Sequence, residues 1–190
     1  MARRFFALAA GLVTAGAVVA GAEPAVAASA PAPIRSAYND DCLDADANTI
    51  GSNGTKVQLW KCNGSRQQQW YTDGFTIRNA ADGSCLDADL NTIGTNGTKV
   101  QTWKCNGQNQ QKWFPANGGV LSSIGDCLDA DLNTIGTNGT KVQLWQCNFA
   151  RQQQWRGLDF GLTDCEDIIG LRPGDDPILG PGCGDTLGPG

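Results

Sequence analysis

The chain has 190 residues, a formal net charge of −5 and no histidine. Nucleophile–histidine triads and histidine proton shuttles are thereby excluded, and any catalysis would fall to carboxylates. Acidic and basic residues balance between Arg35 and Arg156, so no basic patch for nucleic acid or anionic lipid is indicated, and a ligand that is neutral, or at least not polyanionic, is expected.

In chain order, Arg3 and Arg4 precede an apolar run from Phe5 to Ala22, followed by the small residues Ala25-Val26-Ala27. That order of charge, apolar core and small residues predicts a signal peptide over residues 1–27, with no membrane span left after cleavage and a secreted, extracellular product. The Arg3-Arg4 pair leaves general secretion and twin-arginine export both open. Residues 28–34 are expected to be a linker. Roughly 160 residues then remain, enough for one domain with a sizeable core. Cys42, Cys62, Cys85, Cys105, Cys127, Cys147, Cys165 and Cys183 all lie beyond the leader. An even set in an exported chain predicts disulfides, and the absence of histidine and of close C-x-x-C pairs argues against structural zinc. No cofactor is expected.

From Cys42 the chain reads CLDADANTIGSNGTKVQLWKCNGSRQQQW; near-identical copies start at Cys85 and Cys127, at intervals of 43 and 42 residues. The repeats span about 42–70, 85–113 and 127–155, within a domain assigned to 35–156. Each copy carries Asn-Gly, a favoured two-residue hairpin turn, followed by an alternating run such as Lys56-Val57-Gln58-Leu59-Trp60-Lys61-Cys62, and no helical periodicity competes with it. An all-β domain is predicted.

Side chains of a strand alternate between its two faces. Val57 and Leu59 then point to the core, while Gln58, Trp60 and Cys62 point away; on the preceding strand Leu43 and Ala45 face one side, Cys42 and Asp44 the other. The constant spacing of 20 residues suggests the bridges Cys42–Cys62, Cys85–Cys105 and Cys127–Cys147. Such bridges would make Asp44, Gln58 and Trp60 neighbours. A third short element ends each copy, at Gln67 to Trp70, Gln110 to Trp113 and Gln152 to Trp155. If Trp70, Trp113 and Trp155 turn inward around a pseudo-threefold axis, they supply much of the core and leave Trp60, Trp103 and Trp145 for the surface.

The tripled pattern C-L-D, N-G-T-K-V-Q-x-W-x-C and Q-x-W resembles the ricin B-type lectin family, also known as family 13 carbohydrate-binding modules, over about residues 35–156. The resemblance implies a β-trefoil of twelve strands, four per repeat, with a shallow sugar pocket possible in every lobe. It implies that Asp44, Asp87 and Asp129 accept hydrogen bonds from sugar hydroxyls, that Trp60, Trp103 and Trp145 form platforms under the ring, and that Gln58, Gln101 and Gln143 wall the pockets. It also implies a mainly structural role for the Q-x-W tryptophans. The family usually places Asn immediately before Q-x-W, whereas here Gln67, Gln110 and Gln152 occupy the position, one methylene longer. They are counted with the sugar-binding set, and the longer reach bears on specificity or on binding itself. The second acids, Asp46, Asp89 and Asp131, are further candidates for the pocket.

The expected function is non-catalytic binding of polysaccharide or glycan, with service to a separate enzyme left open. The alternative is a trefoil interaction or inhibitor protein that binds a protein partner through degenerate pockets. Asp44-x-Asp46-x-Asn48 and its two counterparts echo the start of a calcium loop, but the sixth-position Gly and twelfth-position Glu are missing. No single acid–base carboxylate pair stands apart from the repetition, which argues against hydrolysis. The sequons at Asn53, Asn96, Asn138 and Asn63 are mostly accounted for by turn chemistry. Residues 157–190 are acidic and rich in Gly and Pro, read as loop; there Cys165 and Cys183 either close a small bridged loop or pair with another chain.

Overall fold

The computed structural model describes residues 28–160, apart from 117–118 and 123. The signal peptide and the Cys165/Cys183 pair assigned from sequence lie outside the described residues. Thirteen strands run in chain order: β1 (Ala32–Pro33), β2 (Arg35–Ser36), β3 (Cys42–Ala45), β4 (Thr55–Trp60), β5 (Gln69–Asp73), β6 (Thr76–Asn79), β7 (Cys85–Ala88), β8 (Thr98–Trp103), β9 (Trp113–Ala116), β10 (Gly119–Ser122), β11 (Asp126–Ala130), β12 (Thr140–Gln146) and β13 (Trp155–Arg156). Twelve of them fall into three sets of four, and β1 is a short addition that pairs with β5. Single 3-10 turns at Arg66–Gln68, Asn109–Gln111 and Arg151–Gln153 interrupt the all-β course.

Threefold order is explicit in the pairing. β3–β4, β7–β8 and β11–β12 are antiparallel pairs within the repeats. β4, β8 and β12 pair with one another around the axis. The links between repeats are β5–β6 and β9–β10, and β13 pairs with β2 to close the ring. This is a β-trefoil, held by Cys42–Cys62, Cys85–Cys105 and Cys127–Cys147, one bridge per repeat and the pairing that the spacing suggested.

Alternation sorts the faces as expected. Leu43, Ala45, Val57 and Leu59 and their apolar counterparts form one core cluster with Trp70, Trp113 and Trp155. Each of these tryptophans is anchored by its indole N–H, which donates to the carbonyl of Leu43, Leu86 or Leu128 at 2.9 Å. A buried indole nitrogen without such a partner would cost free energy, so the bond fixes the ring's orientation as well as its depth.

Two sequence expectations are corrected. Asn53-Gly54 is a turn but not the two-residue hairpin connection, because Ala45 pairs with Val57 and the chain between β3 and β4 loops over residues 46–54. Asp46 caps that loop, its Oδ1 accepting from the backbone and side-chain nitrogens of Asn48 at 3.0 and 2.8 Å. Second, the domain begins before Arg35 and runs past Arg156. Ile34 and Phe160 are buried in the core cluster, and the Thr72 hydroxyl donates to the Asp159 carbonyl. Gly157, at φ +88°, lies so close to the Pro33 carbonyl that a Cβ would not fit.

One core position breaks the threefold pattern. Thr102 is fully buried where the other repeats carry Leu59 and Leu144, and its hydroxyl has no hydrogen-bond partner among the described residues. Thr102→Leu restores the repeat consensus and removes the unsatisfied group, so unfolding in urea should show a gain of about 1–2 kcal/mol. A loss of stability would mean that the core around β8 has closed down on the smaller side chain.

Candidate functional site

Antiparallel register sets Asp44 opposite Gln58 and Cys42 opposite Trp60, with Asp87/Gln101 and Cys85/Trp103, then Asp129/Gln143 and Cys127/Trp145, in the other repeats. The aspartates are almost wholly buried, whereas Trp60, Trp103 and Trp145 are 37–38 % exposed. Each lobe therefore presents a carboxylate at depth beside a half-open indole face. In the third lobe the arrangement opens as a cleft of about 300 Å³ lined by Asp129, Gln143, Trp145 and Gln152 together with Asp131 and Asn148. The four residue types assigned from sequence thus share one cavity there, and the second acid, Asp131, joins them.

Each carboxylate is held by two amides from different elements. Asp44 Oδ1 accepts from Gln58 Nε2 at 3.2 Å and Oδ2 accepts from Gln68 Nε2 at 3.0 Å. The same two bonds recur at Asp87, from Gln101 and Gln111, and at Asp129, from Gln143 and Gln153. Gln68, Gln111 and Gln153 were not among the sequence-assigned site residues. All three are fully buried, and a buried amide requires a partner. Gln68 Oε1 accepts from the Asn63 backbone N–H at 2.8 Å, so the amide's orientation is fixed by its bonds at both ends. Gln67, Gln110 and Gln152 sit on the 3-10 turns rather than on strands, and their amides oppose the rise in the pKa of the aspartates.

Burial raises the pKa of Asp44, Asp87 and Asp129 above 3.8; hydrogen bonds from the glutamines oppose the shift without cancelling it, and the neighbouring Asp46, Asp89 and Asp131 add to it. The sign follows by linkage. The native state holds these protons more tightly than the unfolded chain, so these three groups make the fold less stable as pH rises from 3.8 through the native value. A hydroxyl donated to the carboxylate favours the ionised form, so ligand affinity runs the other way. It should be full above the native pKa and fall as pH drops through it. Titration calorimetry should therefore place the acid midpoint of binding above 3.8, with proton release on binding near that midpoint; a midpoint at or below the ordinary value would contradict this role.

The lobes are not independent. The tip of the first repeat's loop latches onto the second: Lys104 N donates to Asn53 Oδ1 at 2.7 Å and Gly54 N to the Thr102 carbonyl at 2.9 Å. Asn96 accepts from Gln146 N, and Asn138 from Lys61 N, which completes the cycle. Gly54, at φ +86°, brings its Cα against the next site: a Cβ there would stand 3.6 Å from Gln101 Oε1 and 3.8 Å from the Trp103 ring. Each pocket therefore has a wall from the preceding repeat. In the folded state the sequon asparagines Asn53, Asn96 and Asn138 are occupied as backbone acceptors.

Several solved structures share this fold. A designed threefold-symmetric protein, ThreeFoil, superposes with a TM-score of 0.58 at 23% identity, covering 65% of this chain and 94% of that one. The C-terminal half of the earthworm R-type lectin, solved in complex with GalNAc, gives 0.53 at 18% identity over 65% and 94%. The agglutinin of Rhizoctonia solani gives 0.57 at 18% identity over 71% and 95%. No curated protein matches the chain in sequence. The model of the ricin-type β-trefoil lectin domain matches residues 30–156, and the chain belongs to that family.

Proposed function

We propose that the protein is a secreted, non-catalytic glycan-binding protein with up to three shallow sugar sites. The observation that carries this reading is the threefold recurrence of a buried carboxylate, braced by two amides, beside a half-exposed tryptophan. A pyranose has an apolar C–H face and a rim of vicinal hydroxyls. The indole suits the face, and the remaining lone pairs of the carboxylate suit the rim. The fixed amides keep the carboxylate in place before the ligand arrives, which lowers the ordering cost of binding.

Family membership supports binding over chemistry, as does the equivalence of the three sites, in which no carboxylate pair is singled out as acid and base. The leader-like residues 1–27 and the three bridges support export. Each site alone is expected to be weak, with affinity for a repeating polymer built by simultaneous engagement. The test is binding of the purified protein to a glycan array and to insoluble polysaccharides, beside the triple variant Trp60→Ala, Trp103→Ala, Trp145→Ala. Loss of binding in the folded variant supports the reading. Failure of the native protein to bind any carbohydrate sinks it and favours a protein partner.

A further inference from the structure

A second cleft, of about 560 Å³, lies at the boundary between the first and second lobes, where it is lined by Ser52, Asn53, Arg78, Asp82, Ser84 and Lys104 among others. None of the sugar-site residues assigned above lines it. Asn53 lines it, while on the neighbouring Gly54 a Cβ would stand 3.8 Å from the Trp103 ring.

The hydrogen bonds leave this cleft rich in donors. Asp82 bridges the lobes: its Oδ2 accepts from Gly51 N at 2.9 Å, and its Oδ1 accepts from Ser84 N and Ser84 Oγ at 3.0 and 2.7 Å. Arg78 pairs with Asp73 through Nη2 at 2.7 Å and donates from Nε to Thr76 Oγ1, leaving Nη1 without a partner among the described residues. The Lys104 ammonium makes no ion pair or hydrogen bond among the described residues. Asn53 spends its oxygen on Lys104 N, which leaves its NH2 group as a donor. Two cations and an amide NH2 therefore line a cavity whose one acid is already committed to backbone and hydroxyl donors.

The other lobe boundaries do not reproduce this set. Strand pairing aligns Arg78 with Arg35 and Leu121, opposite Cys85, Cys42 and Cys127 respectively. At the boundary of the third and first repeats Arg35, Lys61 and Asn138 stand where Arg78, Lys104 and Asn53 do, but Arg35 is turned onto Cys62 Sγ and the Asp40 carbonyl, and the acid Asp41 replaces Ser84. At the third repeat Leu121 and Gln146 stand where Arg78 and Lys104 do, so both cations are missing. Among near-identical repeats, such a difference marks one boundary as chemically distinct.

We propose that this inter-lobe cleft is a separate binding site for an acidic sugar, with Lys104 and Arg78 taking the carboxylate of a uronate residue and Ser84 and the Asn53 amide taking its hydroxyls. The class of ligand rests on the glycan-binding reading, whereas the location does not. A charge-assisted contact in a partly enclosed cleft is favourable, and it weakens with salt.

The test is NMR titration of the full chain with oligogalacturonate, its carboxyl-reduced neutral counterpart and inorganic phosphate. The expected result is shifts in the amides of Gly51, Ser52, Gly83, Ser84 and Lys104 with the uronate alone. Lys104→Gln copies the third repeat's own residue, so the fold tolerates it; uronate affinity should fall about tenfold while affinity for neutral glycan is unchanged. In the triple Trp→Ala variant the uronate shifts should persist although neutral-glycan binding is lost. A native protein that binds no neutral glycan yet shows these shifts would overturn the lectin sites and leave the cleft standing. The proposal is overturned if uronate shifts cluster at Trp103, if Lys104→Gln leaves uronate binding unchanged, or if phosphate produces the same shifts, which would make the cleft a general anion patch.

Discussion

Replacing Trp113 by alanine should cost the domain about 3–5 kcal/mol, whereas replacing Trp103 should change stability by about 1 kcal/mol or less and remove glycan binding at the second lobe. The two residues share a repeat and a side-chain type, so the contrast isolates position. Trp113 is fully buried, and its indole N–H donates to the Leu86 carbonyl at 2.9 Å. Alanine leaves a ring-sized cavity at the join of the lobes and a buried carbonyl without its donor. The surrounding strands are cross-braced by β8 against β4 and β12 and can collapse only partly into the space. Trp103 is 37 % exposed at the end of β8, and its removal mainly bares the rim of the site. Urea unfolding of each variant, with binding measured in a background of Trp60→Ala and Trp145→Ala, separates the two outcomes. Equal destabilisation would show that Trp103 is a cover for the Cys85–Cys105 bridge and not a free platform.

That division between tryptophans was legible in the sequence because β-strand alternation is local and the repeat supplies it three times over. Val57, Leu59, Asp44 and Gln58 all point where period-two geometry sends them, and the Cys42–Cys62 pairing followed from the constant spacing. Contacts between repeats were not legible. Asn53-Gly54 carries a strong local turn signal, yet its Asn side chain and Gly amide are spent on Lys104 and Thr102 of the next lobe. A turn propensity is read from neighbours in sequence, whereas what the turn docks against is decided by the closure of the threefold ring. Ile34 and Phe160 escaped for a related reason: both lie outside the repeats, and only the pairing of β13 on β2 brings their segments to the core. The donor-rich cleft at the first boundary is likewise made by two repeats together, and neither contains it alone.

Gln111 joins the fold to the candidate site, and Gln111→Met is expected to damage both. The fully buried amide donates to Asp87 Oδ2 at 2.9 Å and to the Lys104 carbonyl at 3.2 Å, and accepts from Asn106 N at 2.8 Å. Methionine has nearly the same length and no polar hydrogen, so it fills the space while stranding a carboxylate oxygen, a carbonyl and a backbone N–H. Unsatisfied buried groups of this kind cost about 1–3 kcal/mol each, and the three share one partner, so a loss of about 3 kcal/mol or more is expected. Removing a bond that holds the Asp87 pKa down should raise that pKa further, because burial already pushes it up. The acid limb of binding at the second lobe then moves to higher pH, a change that destabilisation alone does not produce. Gln110, the neighbour assigned to the pocket from sequence, makes the useful control: its truncation to alanine should shift the same limb by less and cost about 1 kcal/mol, since it braces no backbone group in the way that Gln111 does. If Gln111→Met kept native stability yet lost binding, the amide would be a direct ligand contact, and the carboxylate would be held by Gln101 alone.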